Sequence, residues 1–352
     1  MNNFVRGSCR EMCPASEVKM RTKEHLLHFF ELLDGAPYKP VKCFSRSAAG
    51  MKTPKEVDLR TPLALEKTVT YLLTEYNFSI LMDERKPFFY VYDFIFDRLR
   101  SVRQEIVIQN MDKEKSIKLL EPTILFLAYS RYRLNAEPIQ NFDSKICDQH
   151  LQECMKKVLG YYDELDVEKN NEPPAIETRN RILVEALYQL FNLGQTEALS
   201  RTLILKSNIR KNPTFNLAMR ASLEYFRQNY FSCLQKVINF EHILCAIASL
   251  KLANIRREIL LRFSHAYNSK CLTVPIFFIQ NVLYYDSSEE LIQDLHYYNI
   301  EISSDKSSIK FLKSNFNINK DVIQSKKERF VEKKLKKINL PEVICNIKMT
   351  KI

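Results

Sequence analysis

The stretch VPIFFIQNVLYYDSSEELIQDLHYYNIEISSDKSSIKFLK, residues 274–313, decides the fold class. Pro275 opens a helical run, IFFIQNVLYY. Ser287 and Glu290 then form the S-x-x-E spacing that closes a helix N-terminus from both sides, ahead of SEELIQDLHYY. Asn299 is a C-terminal stop. IEIS (300–303) and SIKFLK (308–313) are short strand-like runs around the polar turn SDKS. With a helix over 252–267 before it, the order is helix, helix, helix, strand, turn, strand. That is the order of a winged helix.

Upstream, the apolar spacing is helical almost throughout. Thr61-Pro62 is a helix start, with Thr as N-cap and Pro in the first position. Leu65, Val69, Leu72 and Tyr76 line one face of that helix. Ile95, Leu99, Val102 and Ile106 stripe the next, over 88–110. Further helical periods cover 116–133, 142–163, 177–193, 195–206, 214–228, 230–238 and 240–267. From 180 to 250 the helices are short with short turns, the pattern of stacked helix pairs, without a fixed 34-residue repeat. The first 60 residues are loop-rich, with one helix expected from Ser16 to Leu33 and ended by Gly35 and Pro37. The clearest linker is DVEKNNEPPAIE, 166–177.

Composition excludes several classes. Only five glycines occur among 352 residues, all isolated, so no Gly-rich phosphate cradle and no fold of many tight β-turns is expected. Nine cysteines form an odd set without a C-x-x-C pair, and the opening residues have no apolar leader core, which predicts reduced thiols in an intracellular chain. Apolar runs fall short of a membrane span. The formal charge of +11 suits an anionic partner. Residues 326–352 hold nine Lys/Arg against three Asp/Glu, or +6 of that excess.

Two stretches do not read as ordinary packing. VKCFSRSAAG (41–50) sets Lys42 and Arg46 among small residues. FDRLRSVRQE (96–105) carries Arg98, Arg100 and Arg103, with Asp97 and Arg100 spaced i, i+3. The second is either a salt-bridged helix face or a clamp whose arginines hold a carboxylate or the carbonyls of the 41–50 loop. Cys9, Cys13, His25 and His28 have poor spacing for a zinc knuckle, and Cys13-Pro14 is expected to cap the following helix with His28 packed on it. Cys147, His150 and Cys154 lack a fourth ligand, and buried thiols are the expected reading there. No metal, no cofactor and no catalytic set is expected: H-E-x-x-H, G-x-S-x-G and a Walker lysine are all missing.

Taken together, GSCREMCPASE (7–17), VKCFSRSAAG (41–50), LRTPLALEKTVTYLL (59–73) and FDRLRSVRQE (96–105) resemble, in this order, the signature of the SAC-three/GANP family. Ser8, Leu99 and Glu105 depart from its usual Thr, Thr and Asp. LYQLFNLG (187–194) and 274–290 are similar to its later segments, so the likeness spans 4–325. The resemblance implies an all-α fold: a stacked helix-pair (TPR-like, PCI-type) superhelix ending in a winged helix with a small β-sheet. It implies four parts: a signature segment over 1–60, a helical stack over 61–250, a winged helix over 251–316 and a basic tail over 317–352. It implies a non-enzymatic scaffold whose partners are a second PCI-type protein, a small acidic subunit and weakly held RNA or DNA. The chain has no Phe-Gly dipeptide and no long C-terminal helix, and looks most like short animal members tied to centrosome duplication and mitotic spindle assembly. A nucleus-and-cytoplasm location with centrosome or spindle association follows. The second reading is a nucleic-acid-binding adaptor in nuclear mRNA export.

The resemblance makes VKCFSRSAAG a clasp, with Lys42, Arg46, Arg98, Arg100 and Arg103 as its holding residues. Nucleic-acid contacts are expected from Arg256, Arg257 and Arg262, from Lys306, Lys310 and Lys313 in the wing, and from the tail residues Lys326, Lys327, Arg329, Lys333, Lys334, Lys336 and Lys337.

Overall fold

The computed structural model describes residues 4–32, 39–46, 54–75, 86–168 and 178–345. Ser47–Gly50 of the predicted clasp and most of the 166–177 linker lie outside them. The chain forms two compact units.

The first unit takes residues 1–130, 138–180 and 339–352. Its helices are α1 (Ala15–Lys23), α2 (Pro62–Thr70), α3 (Phe88–Ile108), most of α4 (Lys113–Arg133), α5 (Ser144–Glu168) and α16 (Leu340–Cys345). Thr61 caps α2 as its sequence predicts, accepting the Ala64 N–H at 3.2 Å. The stripe Ile95, Leu99, Val102 and Ile106 is buried to within 2%. On α5, Cys147 and Cys154 are 0% and 1% exposed and pack with Leu151, Met155 and Val158 as small apolar side chains.

The expected helix from Ser16 to Leu33 is not continuous. α1 stops at Lys23, His25 has φ 54°, and only a 3₁₀ turn, Phe29–Glu31, follows. Leu26 is 57% exposed, so the apolar period there does not bury one face. The chain instead turns so that Phe30 and Glu31 point inward.

The second unit takes residues 131–137 and 181–338. It holds most of α6 (Thr178–Phe191), then α7 (Thr196–Ile204), α8 (Ser207–Lys211), α9 (Pro213–Phe226), α10 (Tyr230–Val237), α11 (His242–Ser249) and α12 (Leu252–Ala266). α9 packs on α7, α8 and α10, and α10 packs on α11 and α12. The single helix expected over 240–267 is two. The Leu250 carbonyl leaves the helical ladder and accepts a hydrogen bond from Ser325 Oγ at 2.7 Å. Gly194 has φ 78° and lies where a Cβ would come within 2.4 Å of Tyr225.

After α12 come β1 (Val274–Pro275), α13 (Ile276–Leu283), α14 (Ser288–Tyr297), β2 (Glu301–Ile302) and β3 (Ser308–Lys310). The strands make one antiparallel sheet in the order β1-β3-β2, with Ile309 paired to both Val274 and Ile302. Strand β1 is an element the sequence reading lacked; Pro275 is tolerated because β1 is an edge. Ile279, Leu283, Leu291, Leu295, Ile309 and Phe311 are fully buried between helices and sheet. Ser287 Oγ accepts the Glu290 N–H at 3.2 Å, and Asn299 ends α14 with φ 62°.

Residues 317–338 then run back across this unit, ending in α15 (Arg329–Leu335), which packs on α11. Val331 is fully buried.

Candidate functional site

The signature segments meet on α3 around two buried carboxylates. Glu105 is 1% exposed and Arg60 is 0% exposed. The Arg60 backbone N–H donates to Glu105 Oε2 at 2.7 Å, and its Nε donates to Oε1 at 3.0 Å. The same guanidinium reaches Ser101 Oγ at 2.8 Å. Lys42 Nζ lies 2.9 Å from Glu105 Oε1. One turn along α3, Gln109 accepts the Gly7 N–H and donates to the Arg60 carbonyl, each at 2.9 Å. A parallel bridge between Cys9 and Arg60 completes the joint. Four pieces far apart in sequence (7–12, 42, 59–61 and 101–109) are thus held by one carboxylate and one amide.

Gly7 shows why that piece begins with glycine. A Cβ there would lie 2.5 Å from the carbonyl oxygens of Leu59 and Arg60. The backbone can approach this closely only without a side chain.

Glu31 is the second hub. It is 3% exposed and accepts the N–H groups of Val41 and His28 at 2.9 Å each. Arg21 and Arg98 both pair with it, Arg98 at 3.4 Å. Burial pushes the Glu31 carboxyl up, but these amides and guanidinium groups outweigh it and hold it below the usual carboxylate range. The loop is fastened further by the Cys43 N–H on Glu17 at 2.9 Å and the Phe44 N–H on Asp97 at 3.3 Å. His28 sits among Phe29, Phe30 and Phe94, and burial beside Arg98 lowers its pKa to about 4.

The five predicted clasp residues divide three ways. Lys42 and Arg98 lie in the two hubs. Arg100 stacks on Phe44, 3.8 Å from the ring centre, while Arg103 turns to Glu153 (2.9 Å) and His150 (2.6 Å) on α5. Neither Arg100 nor Arg103 donates to a carbonyl of residues 41–46. Arg46 is exposed and makes no ion pair among the described residues. The sequence reading missed Arg60, Glu31, Arg21 and Gln109. Arg60 had a signal: it precedes a capped helix in a signature segment.

The predicted nucleic-acid contacts are scattered over the second unit. Arg256 is 5% exposed and bonded to Glu328 at 2.7 Å and to the Leu283 carbonyl at 3.0 Å. Lys334 donates to the carbonyls of Ile238 and Phe240. These two cations are taken up inside the unit and present no open face to a phosphate. Arg257 bonds the Ile318 carbonyl, and Arg262 lies over Tyr230. Lys310 faces Glu301 at 3.8 Å, and Lys326 faces Asp294 at 3.8 Å. Lys306 sits in the turn between β2 and β3 with φ 54°. The Glu289 pKa is lowered chiefly by hydrogen bonds from its own backbone and from Ser287, and the Lys306 charge adds to them. Lys306, Lys313, Lys327, Arg329, Lys333, Lys336 and Lys337 are exposed.

Among the described residues no three His, Cys, Asp or Glu side chains converge as metal ligands, and no helix is long and apolar enough to cross a membrane.

The chain is thus mostly helical with one small sheet, and buried ion pairs join the signature segments of its first unit. The chain belongs to the SAC3/GANP family, whose sequence profile matches residues 12–304. It is 26% identical over 316 residues to Protein xmas of Drosophila melanogaster, covering 86% of this chain and 15% of that protein. It is 24% identical to SAC3 family protein 1 of Schizosaccharomyces pombe, over 96% of this chain and 34% of that protein. SAC3 family protein B of Arabidopsis thaliana is 29% identical over 35% of this chain and 7% of its own length. The chain thus spans at most about a third of these relatives.

Proposed function

We propose that this chain is a non-enzymatic assembly scaffold, acting in centrosome duplication and mitotic spindle assembly. The supporting observation is where the signature residues go. Lys42, Arg60, Arg98, Glu31 and Glu105 are bonded to one another or to backbone, so these buried signature charges serve the joint between their own segments. Family membership supports a scaffold-type role. The centrosomal assignment rests on the likeness to short animal members of the family. The test pairs localisation of the endogenous protein with crosslinking to poly(A) RNA. Centrosomal or spindle signal without RNA crosslinks is expected.

A second reading is an RNA-binding adaptor in mRNA export. It is favoured by the exposed Lys327, Arg329, Lys333, Lys336 and Lys337, five cations within eleven residues. Against it, α14 begins with Glu289 and Glu290, so the face beside the sheet is of mixed sign. Strong poly(A) crosslinks mapping to 327–337 would put this reading first.

A further inference from the structure

The first unit carries a cluster of cations that neither the clasp nor the proposed role uses. It lines a cavity of about 520 Å³ between α3, α5 and Phe44 of the clasp loop. Arg100, Arg103, His150 and Lys157 stand on its wall, and Phe44 and Val107 border it. Arg46 lies near enough to act on Arg100 through its charge. Against Arg46, Arg100, Arg103 and Lys157 stand two local carboxylates, Glu153, which is 47% exposed and bonded to Arg103, and Asp97, which is paired with Arg98 and acts on Arg100 through its charge. Arg100 has a ring on either side, Phe44 at 3.8 Å and Phe96 at 5.6 Å, and no ion pair among the described residues. Burial, with the like charges of Arg46 and Arg103, lowers its pKa against the opposing pull of Asp97.

We propose that this cavity is a docking site for an acidic, apolar-flanked peptide segment of a protein partner. Guanidinium forks match carboxylates in two-point contact. Arg100 offers such a fork, and Arg103, one helical turn on, adds its charge while it holds His150 and Glu153. The remaining wall fixes the rest of the ligand. Ile106, Leu120 and Val107 form an apolar side, and Val107 is 60% exposed. An aliphatic side chain beside the acidic one covers it.

Nucleic acid fits less well. A phosphate backbone needs cations repeated along a groove. Beyond the cavity, α5 carries Asp148, Asp163 and Asp166, together with Glu164 and Glu168 that pair with Lys113, so that helix offers a polyanion no continuous line of cations. The cations form one pocket, not a track.

The proposal rests on the scaffold reading, since it names the chemistry of a partner, but its test does not use localisation or RNA crosslinking. The full chain is panned against a library of random dodecapeptides, and the strongest binder is synthesised and titrated by fluorescence anisotropy beside labelled decauridylate. The expected winners place Asp or Glu next to Leu, Ile or Phe, and bind less tightly as salt rises. Lys157→Glu, at an exposed position, and Arg103→Gln should each weaken the peptide about tenfold or more while melting with the parent's cooperativity. Winners without acidic residues, binding untouched by both substitutions, or no enrichment at all would overturn the proposal. So would decauridylate binding more tightly than the peptide and failing on the same two substitutions.

Discussion

Arg60 and Glu105 lie 45 residues apart in sequence and are joined twice, by the Arg60 backbone N–H at 2.7 Å and by its Nε at 3.0 Å. Both are essentially sealed from solvent. Such a pair is not evidence of high stability in itself, because burying two charges costs about as much as their attraction returns. Its consequence is specificity: one partner without the other leaves an unpaired charge in the core. Glu105→Ala should therefore destabilise the first unit by about 3–5 kcal/mol, and Arg60→Ala similarly. Chemical denaturation with a probe in that unit checks both. Arg46→Ala, at an exposed position without an ion pair among the described residues, should stay within about 0.5 kcal/mol of the parent.

Gly7 and Gly160, the two described glycines of the first unit, make a matched control. Gly7→Ala forces a methyl to within 2.5 Å of two carbonyl oxygens and should separate residues 7–12 from 59–61. Gly160→Ala, in the middle of α5 with nothing within 4 Å of the new methyl, should stabilise by about 0.5–1 kcal/mol. Melting curves of opposite sign are expected; two losses would mean that the Gly7 contact is not the cause.

The basic tail has a structural half and an exposed half. Glu328 is buried against Arg256, so truncation after Ser325 removes a partner that a buried guanidinium requires. Glu328→Ala should cost about 3–5 kcal/mol in the second unit. Lys336→Glu with Lys337→Glu, both exposed, should change stability by less than about 0.5 kcal/mol. RNA binding by the tail is therefore to be tested with the double charge reversal, not with the truncation.

Acid should weaken the first unit before most carboxylates titrate. Burial, together with Arg98 for His28 and Arg103 for His150, lowers each imidazole from 6.5 to about 4. Below pH 6.5 the unfolded chain takes up protons that the folded chain refuses until about pH 4, so stability is full above that window and is lost as pH falls through it. Urea midpoints at neutral and mildly acid pH measure the loss, and His28→Gln with His150→Gln should flatten it. An unchanged slope in the double variant would assign the loss elsewhere.

Much of this architecture was legible in the sequence because helical period and caps are local. Thr61, Ser287 and Asn299 act where their types predict, and the stripe from Ile95 to Ile106 is the core face of α3. What was not legible is set by distant groups. Nothing near Leu250 in sequence announces that Ser325, 75 residues on, will donate to its carbonyl where one expected helix becomes two. Nothing in Phe29–Glu31 says that Glu31 will gather Arg21, Arg98 and two amides, although that demand overrides the apolar period around it. The sequence left open a salt-bridged helix face or arginines that hold a carboxylate or the carbonyls of the loop. In the structure, carboxylates chiefly hold its amides, and the arginines serve the carboxylates.

The central claim is that the signature segments form one structural clasp closed on Glu105. Hydrogen exchange across the full chain, comparing the parent with Glu105→Gln, tests it most directly. The account predicts that protection of the amides of Gly7, Cys9, Arg60 and Thr61 falls together, while the helices of the second unit keep theirs. Undiminished protection at Gly7 and Cys9 in that variant would contradict it.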